Sequence, residues 1–306
     1  MQPETDATSI HGIEGDCPEP CSERRAQLTR RRFLKASLSF AAAGIALGPL
    51  YAWQVEPHWL EVVTRPLRVS GLPGSLSGAR LVQLSDIHVG PRVSDRYVLD
   101  VFRRVAALRP DIVAVTGDFT SFHPDVAAHV DDVYRGLPHG RLATVGILGN
   151  HDYGRNWSDE KTAERVTVAL HRLGVHVLRN EVVDVAGLKI VGMDDLWAKR
   201  FRPQRALATL DEGQPTLALS HNPDSVDLPG WDRFQGWILA GHTHGGQCKP
   251  PFLTPPLLPI RNRRYTAGEF ALPGSRRMYI SRGIGHLIQV RFNVRPEVTV
   301  FELRRT

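Results

Sequence analysis

Short apolar runs recur along most of this chain, and their C-terminal ends repeatedly carry polar, chemically capable residues. The first is 79–84, Ala-Arg-Leu-Val-Gln-Leu; further runs follow at 112–115, 142–148, 175–178, 216–219, 237–240, 276–281 and 297–303. Short apolar runs bounded by turn residues predict buried strands. Residues 181–191 predict a hairpin around Ala186-Gly187, whereas 57–78 carry only short extended segments and turns. Between the strands the period changes. Ser94 is placed to cap a helix running to about Leu108, with Val98, Val101, Phe102 and Val105 on one face, and Pro110 ends it. A weaker helix is expected over 125–135, one capped by Ser158 reaches about Leu173, and 203–210 is helical. Strands alternating with helices indicate an α/β layered fold, and the hairpin and the late strands make its sheets mixed.

The N-terminal part follows a different logic. Residues 1–28 are polar, lack apolar periodicity and contain Cys17 and Cys21; this composition predicts a disordered tail. Thr29-Arg30-Arg31-Arg32-Phe33-Leu34-Lys35 then precedes a mildly apolar run over 36–53. A charged segment before an apolar run is a secretory design, and adjacent arginines followed by Phe-Leu-Lys resemble a twin-arginine signal. Gly44, Gly48 and Pro49 weaken the run as a permanent membrane helix. Leu50-Tyr51-Ala52 is a poor cleavage site, so a cleaved leader and a retained anchor both remain open. The division expected is a polar N-region at 1–28, a signal or anchor at 29–53 and one domain at 54–306. The expected location is the periplasm or cell envelope, reached through the twin-arginine export machinery.

Composition narrows the partners. A net charge of +6 and a pI near 9.5 favour phosphate esters, acidic lipid headgroups or anionic wall polymers. Specific nucleic-acid binding is not expected, because zinc-finger spacing, a nucleotide-binding glycine loop and aromatic-rich RNA motifs are all missing from the sequence. Of three cysteines only Cys248 lies in the body, which excludes a disulfide framework there.

The ends of five predicted strands carry the candidate chemistry: Asp86 and His88, then Asp118, then Asn150 and His151, then His221, then His242 and His244. Ligands collect beyond the carboxyl ends of strands in α/β sheets. Oxygen and nitrogen donors without thiolate suit Mn, Fe or Zn in a reactive site rather than a structural zinc knuckle. Eight candidates exceed the needs of one tetrahedral ion, whereas two divalent ions sharing a carboxylate would use them.

Asp-x-His at 86–88, Gly-Asp at 117–118, Gly-Asn-His-Asp at 149–152, the strand-terminal His221 and Gly-His-x-His at 241–244 occur in this order. The set resembles the calcineurin-like metallophosphoesterases, over about residues 67–303. The phrases Leu84-Ser85-Asp86-Ile87-His88, Ser220-His221-Asn222-Pro223-Asp224 and Ser281-Arg282-Gly283-Ile284-Gly285 resemble the YkuE/YaeI-type bacterial branch. The resemblance implies a four-layer α/β/β/α sandwich of two mixed sheets and a dinuclear centre that hydrolyses a phosphomonoester or phosphodiester. It places Asp86, His88, Asp118 and His244 on one metal, and Asn150, His221 and His242 with the bridging Asp118 on the other. Hydroxide held by the two ions would attack phosphorus in line. His151 stays free of metal and faces the substrate as the catalytic proton donor, its tautomer fixed by Asp152 or a backbone carbonyl. His171 and His176, in a helix and at a strand start, are read as surface or packing residues.

Other features stay open at this level. Asp194 and Asp195 suit either support of the site or a turn. The basic runs at 199–202, 261–264 and 276–277 suit an anionic partner or a solvated face. Residues 249–260, rich in Pro and Leu, suit an apolar lip that takes acyl chains or meets a membrane surface, or a rigid proline loop. Cys248 is read as a packed residue. Two rival functions are hydrolysis of a lipid-linked nucleotide diphosphate of the UDP-2,3-diacylglucosamine type and a noncatalytic binding module. A twin-arginine route weighs against the first because such nucleotides are cytoplasmic, and the complete residue set weighs against the second.

Overall fold

Continuous apolar runs become strands here because both of their faces are covered. The computed structural model describes residues 30–122, 126–211 and 213–306; the polar tail with Cys17 and Cys21, and the start of the helix expected at Asp125, lie outside them. The first sheet, with β1 (Glu61–Val69) and β5 (His176–Val177) at its edges and β12 (Glu297–Arg305) next to β1, has the order β1-β12-β2-β3-β4-β5. Its centre is β2 (Arg80–Leu84), β3 (Ile112–Thr116) and β4 (Ala143–Ile147), all parallel, with β3 buried at every position. Parallel strands covered on both faces read as unbroken apolar sequence rather than alternation. The second sheet has the order β10-β11-β9-β8-β7-β6. Its parallel centre, β7 (Leu188–Gly192), β8 (Thr216–Leu219), β9 (Trp237–Ala240) and β11 (Arg277–Ile280), carries antiparallel edge strands β6 (Glu181–Val185) and β10 (Gly268–Ala271).

Three apolar clusters define the layers. Leu81, Ala114 and Ile147 of the first sheet meet Ile190, Leu217 and Leu239 of the second in the inter-sheet core. The opposite face of the first sheet, Val82, Leu84, Val113 and Val115, is covered by α2 (Asp95–Ala107), α3 (Val126–Tyr134) and α4 (Glu160–Arg172). Val98, Val101, Phe102 and Val105 of α2 are the buried face, as the period predicts. The outer face of the second sheet is covered more thinly, by the five-residue α5 (Pro203–Leu207) and loop aromatics including Trp231 and Phe234. The α/β/β/α sandwich of two mixed sheets is therefore present, with a fourth layer that is mostly loop.

Departures from expectation have local causes. β1 (Glu61–Val69) was legible only as short extended pieces because it is an edge strand. It pairs solely with β12 (Glu297–Arg305), leaves most side chains exposed and tolerates Pro66. α4 is capped by Asp159 rather than Ser158: its carboxylate accepts from Lys161 N at 3.0 Å and from Thr162 Oγ1 at 2.6 Å. Contacts divide the chain into a segment ending at Ala46 and a body beginning at Leu47. α1 (Arg30–Leu50) contains Gly44, Gly48 and Pro49, and no helix among the described residues is long and apolar enough to cross a membrane.

Candidate metal centre

β2, β3 and β4 of one sheet and β8 and β9 of the other direct their C-terminal ends to a common edge, where the chain turns sharply. Asp86, His88, Asp118, His242 and His244 have φ of 51°, 54°, 52°, 70° and 48°. The left-handed region costs a non-glycine residue about 1 kcal/mol or more. Five such residues add roughly 5 kcal/mol, comparable to the lower end of a domain's whole stability, so the surroundings must hold them. They do so through backbone pairing beyond the strands: Asp86 N to Gly117 O at 3.0 Å, His88 N to Asp118 O at 3.0 Å, and Gly241 N to His221 O at 3.0 Å. Gln83 ties the two sheets together beneath, donating from Nε2 to Thr116 Oγ1 and to Ala240 O, both at 2.9 Å. His242 N donates to both carboxylate oxygens of Asp86, at 3.0 and 3.1 Å.

The side chains fall into two buried triads, Asp86–His88–His244 and Asp118–His221–His242, in each of which one donor atom per residue lies within 4.8 Å of the others. Asp118 Oδ2 joins them, 3.5 Å from His88 Nε2 and 3.3 Å from His221 Nε2. His244 Nε2 is 3.1 Å from His88 Nε2 and 3.4 Å from Asp86 Oδ1. In the other triad His242 Nε2 donates to Pro259 O at 2.9 Å, which leaves its Nδ1 facing His221 Nε2 at 3.2 Å. Thr116 O, 2.8 Å from His221 Nδ1, aims the other nitrogen of that ring at Asp118.

Charge is distributed unevenly over these groups. Burial pushes His88 and His242 down to about 3 and His244 well below the usual imidazole range, so three rings present neutral lone pairs. Burial also opposes charge on His221, but the adjoining Asp118 carboxylate outweighs it and lifts the ring to about 10. Against its own burial, Asp118 is held well below the ordinary carboxylate range by His221 and His151. Asp86 is raised to about 6, chiefly by burial. The centre thus stabilises a positive charge, and its remaining imidazoles have the deprotonated form that metal binding requires. Asn150 supplies an independent indication of fit. Its side chain is fully buried with neither Oδ1 nor Nδ2 hydrogen-bonded, a situation that costs about 1–3 kcal/mol and that a coordinated cation relieves. The oxygen and imidazole donor set suits divalent ions.

His151 follows Asn150 but is only half-buried. Its backbone N donates to Asp118 Oδ1 at 2.9 Å, and its ring lies edge-on 5.0 Å from the ring of His88. Asp152 does not hold the His151 ring, contrary to the first of the two alternatives above. Its carboxylate accepts instead from Gly149 N and Thr120 N at 2.9 Å and from Phe119 N at 3.3 Å, tying the third strand-end loop to the second. Burial and then Asp118 raise Asp152 to about 7.

Several contributors escaped the sequence reading. His151, Trp157, Trp197 and His242 form a continuous aromatic wall, with successive ring centroids 5.9, 4.8 and 4.5 Å apart. It spans from the half-buried histidine to one triad. Arg291, fully buried, donates to Gly285 O at 2.7 Å and Arg282 O at 3.0 Å, with Nη2 3.5 Å from His244 Nδ1. The signal in both cases is only an ordinary aromatic or basic residue far from any motif. Two motif glycines act by absence of a side chain: a Cβ on Gly149 would lie 2.2 Å from Asp118 Oδ1, and one on Gly241 2.4 Å from Asp86 Oδ2. Asp194 is structural, bonded to Tyr153 Oη and to Arg179 Nε. Asp195 closes a turn through Ala198 N at 2.7 Å. His171 accepts from Val177 N at 3.2 Å and His176 is exposed, so both remain outside the centre.

Comparison with known proteins agrees with this geometry. A calcineurin-like phosphoesterase profile matches residues 79–246, which span every strand-end motif. Phosphodiesterase YaeI of Escherichia coli (strain K12) is 32% identical over 283 residues, covering 90% of this chain and 99% of the relative. The uncharacterized metallophosphoesterase YkuE of Bacillus subtilis (strain 168) is 32% identical over 293 residues, covering 92% and 99%. The UDP-2,3-diacylglucosamine pyrophosphatase LpxG of Chlamydia muridarum is 26% identical over 326 residues, covering 88% and 97%. With the motif set intact in space and relatives of this identity along nearly its whole length, the chain belongs to the calcineurin-like phosphoesterases and is a phosphoric ester hydrolase.

Proposed function

We propose that this enzyme is a dinuclear phosphodiesterase of the cell envelope, and that the bridging position of Asp118 Oδ2 between the two triads carries the reading. Asp86, His88 and His244 would hold one ion with Asp118. Asn150, His221 and His242 would hold the second, with Asp118 shared. Mn, Fe or Zn fit these donors. Two such ions supply Lewis acidity and a nucleophile at neutral pH. The chain itself does the rest. His242 N orients the Asp86 carboxylate and His151 N that of Asp118, Thr116 O and Pro259 O orient His221 and His242, and His151 stands outside both triads to pass a proton to the leaving oxygen.

A diester or a diphosphate linkage carries a second substituent, and the wall formed by Trp157 and Trp197 offers it an apolar surface beside the reacting phosphorus. Relatives named phosphodiesterase and pyrophosphatase support the same preference. Metal-reconstituted protein is expected to hydrolyse an aryl phosphodiester at least about tenfold faster, by kcat/KM, than the matching monoester, a difference of roughly 1.4 kcal/mol in transition-state binding. A monoester preference would overturn this choice. A second reading, cleavage of a lipid-linked nucleotide diphosphate, draws its support from the LpxG relatives. Turnover of UDP-2,3-diacylglucosamine in preference to simple diesters would replace the first reading with it.

Export fits the basic start of α1, where Arg30, Arg31 and Arg32 precede Phe33-Leu34-Lys35. Replacing both Arg30 and Arg31 with Lys should leave the protein inside the cytoplasm when expressed in a host with the twin-arginine pathway. Unchanged export of that variant would refute this route.

A further inference from the structure

Three segments of the body, 51–55, 247–264 and 286–293, meet at one rim. Backbone and side-chain hydrogen bonds join them: Lys249 N to Phe292 O at 2.9 Å, Gln247 Nε2 to Ile288 O at 3.0 Å, and Arg291 N to Ala52 O at 2.8 Å. Gln289 Nε2 donates to Trp53 O at 3.2 Å, and Arg263 Nη2 to Pro255 O at 2.9 Å. The outward side chains are unusual for a surface. Phe252 is fully exposed, Leu257 79%, Leu253 and Ile288 63% each, and Trp53 51%. Each such group forgoes about 1.5–3 kcal/mol by standing in water, and large apolar side chains exposed together on hydrogen-bonded segments mark an interaction site.

The charge around these groups selects the occupant. None of the three segments contains an Asp or a Glu, whereas Lys249, Arg261, Arg263 and Arg264 are exposed along them. Asp224, buried, and Asp227, exposed, are the acidic groups bonded to the 261–264 stretch, through Arg261 N, Asn262 N and Asn262 Nδ2. The protruding Phe, Leu, Ile and Trp tips, with a net excess of exposed cations along their own segments, match an anionic phospholipid surface. The apolar tips enter the acyl boundary, Trp favours the headgroup level, and each cation near the surface adds about 1 kcal/mol. The same loop reaches the metal centre. Pro259 O accepts from His242 Nε2, and a Cβ on Gly246 would lie 2.2 Å from Pro255 Cβ. We propose that this rim is a membrane-docking surface, inserting Phe252, Leu253, Leu257, Ile288 and Trp53 into an anionic bilayer and bringing the centre to ester groups at the headgroup level.

The test uses the full chain with vesicles of phosphatidylcholine alone or with about a third phosphatidylglycerol. Wild type should sediment with the anionic vesicles, and the triple variant Phe252→Ser, Leu253→Ser, Leu257→Ser should lose at least about tenfold in partitioning. Its hydrolysis of a soluble aryl diester should remain unchanged, because none of the three residues belongs to the metal centre. Equal binding by the variant, or equal binding to both vesicles, would overturn the proposal. A second readout separates this rim from the basic N-terminal helix. With 4-fluorophenylalanine at position 252, doxyl-labelled lipid should broaden the ¹⁹F signal of vesicle-bound protein. A sharp signal from bound protein would assign the binding elsewhere and refute docking through this rim.

Discussion

His151→Ala is expected to keep its full metal content and lose turnover by about 10²–10⁴-fold, the usual contribution of a positioned proton donor. The expectation follows from how β4 ends. Asn150 turns inward and is fully buried, while His151 remains half-buried with its ring edge-on to His88 and Trp157 at 5.0 and 5.9 Å. The backbone link from His151 N to Asp118 Oδ1 survives truncation to alanine, so the bridging carboxylate keeps its orientation. Elemental analysis beside steady-state kinetics checks both halves. A series of aryl diesters adds a signature that a merely structural role would lack: the deficit should shrink as the leaving phenol becomes more acidic and needs less protonation. Undiminished turnover with a poor leaving group would take His151 out of the reaction.

Removing the metals should cost both activity and a large part of the stability. At the strand ends the protein holds Asp86, His88, Asp118, His242 and His244 in left-handed backbone and buries Asn150 without a partner, and a cation at each triad would offset those costs. Free metal a thousandfold above Kd stabilises by about 4 kcal/mol per site, or roughly 8 kcal/mol for two. For a body of this size that corresponds to a thermal midpoint about 20 °C higher with metal than without. Calorimetry of chelator-treated and reconstituted protein measures this directly. A midpoint unmoved by metal, in protein that folds normally, would show that the strand ends are held by something else.

A feature of this fold is visible in the sequence only where it leaves a local physical signal. Buried parallel strands such as β8 and β9 need apolar side chains on both faces, so their limits were readable to the residue. β1 left no such trace, because its pairing partner β12 lies more than two hundred residues away and its other edge faces solvent. The grouping of Asp86, His88 and His244, and of Asp118, His221 and His242, was legible because each lies two to four residues beyond a strand, and parallel strands bring such ends together. The supporting residues were not. Nothing local marks Trp197 as a neighbour of His242 or Arg291 as a neighbour of His244, since those contacts depend on loop paths that the period does not encode. Asp152 shows the opposite error. Its place beside His151 suggested a proton relay, whereas three backbone amides of neighbouring loops claim its carboxylate.

If the two triads form one dinuclear centre, Asp118 must touch both ions. Anomalous diffraction from crystals of manganese-reconstituted protein tests it most directly. Two peaks about 3.5–4 Å apart are expected, one among Asp86, His88 and His244, the other among Asn150, His221 and His242, with Asp118 between them. A single peak, or two peaks that Asp118 does not touch, would contradict it.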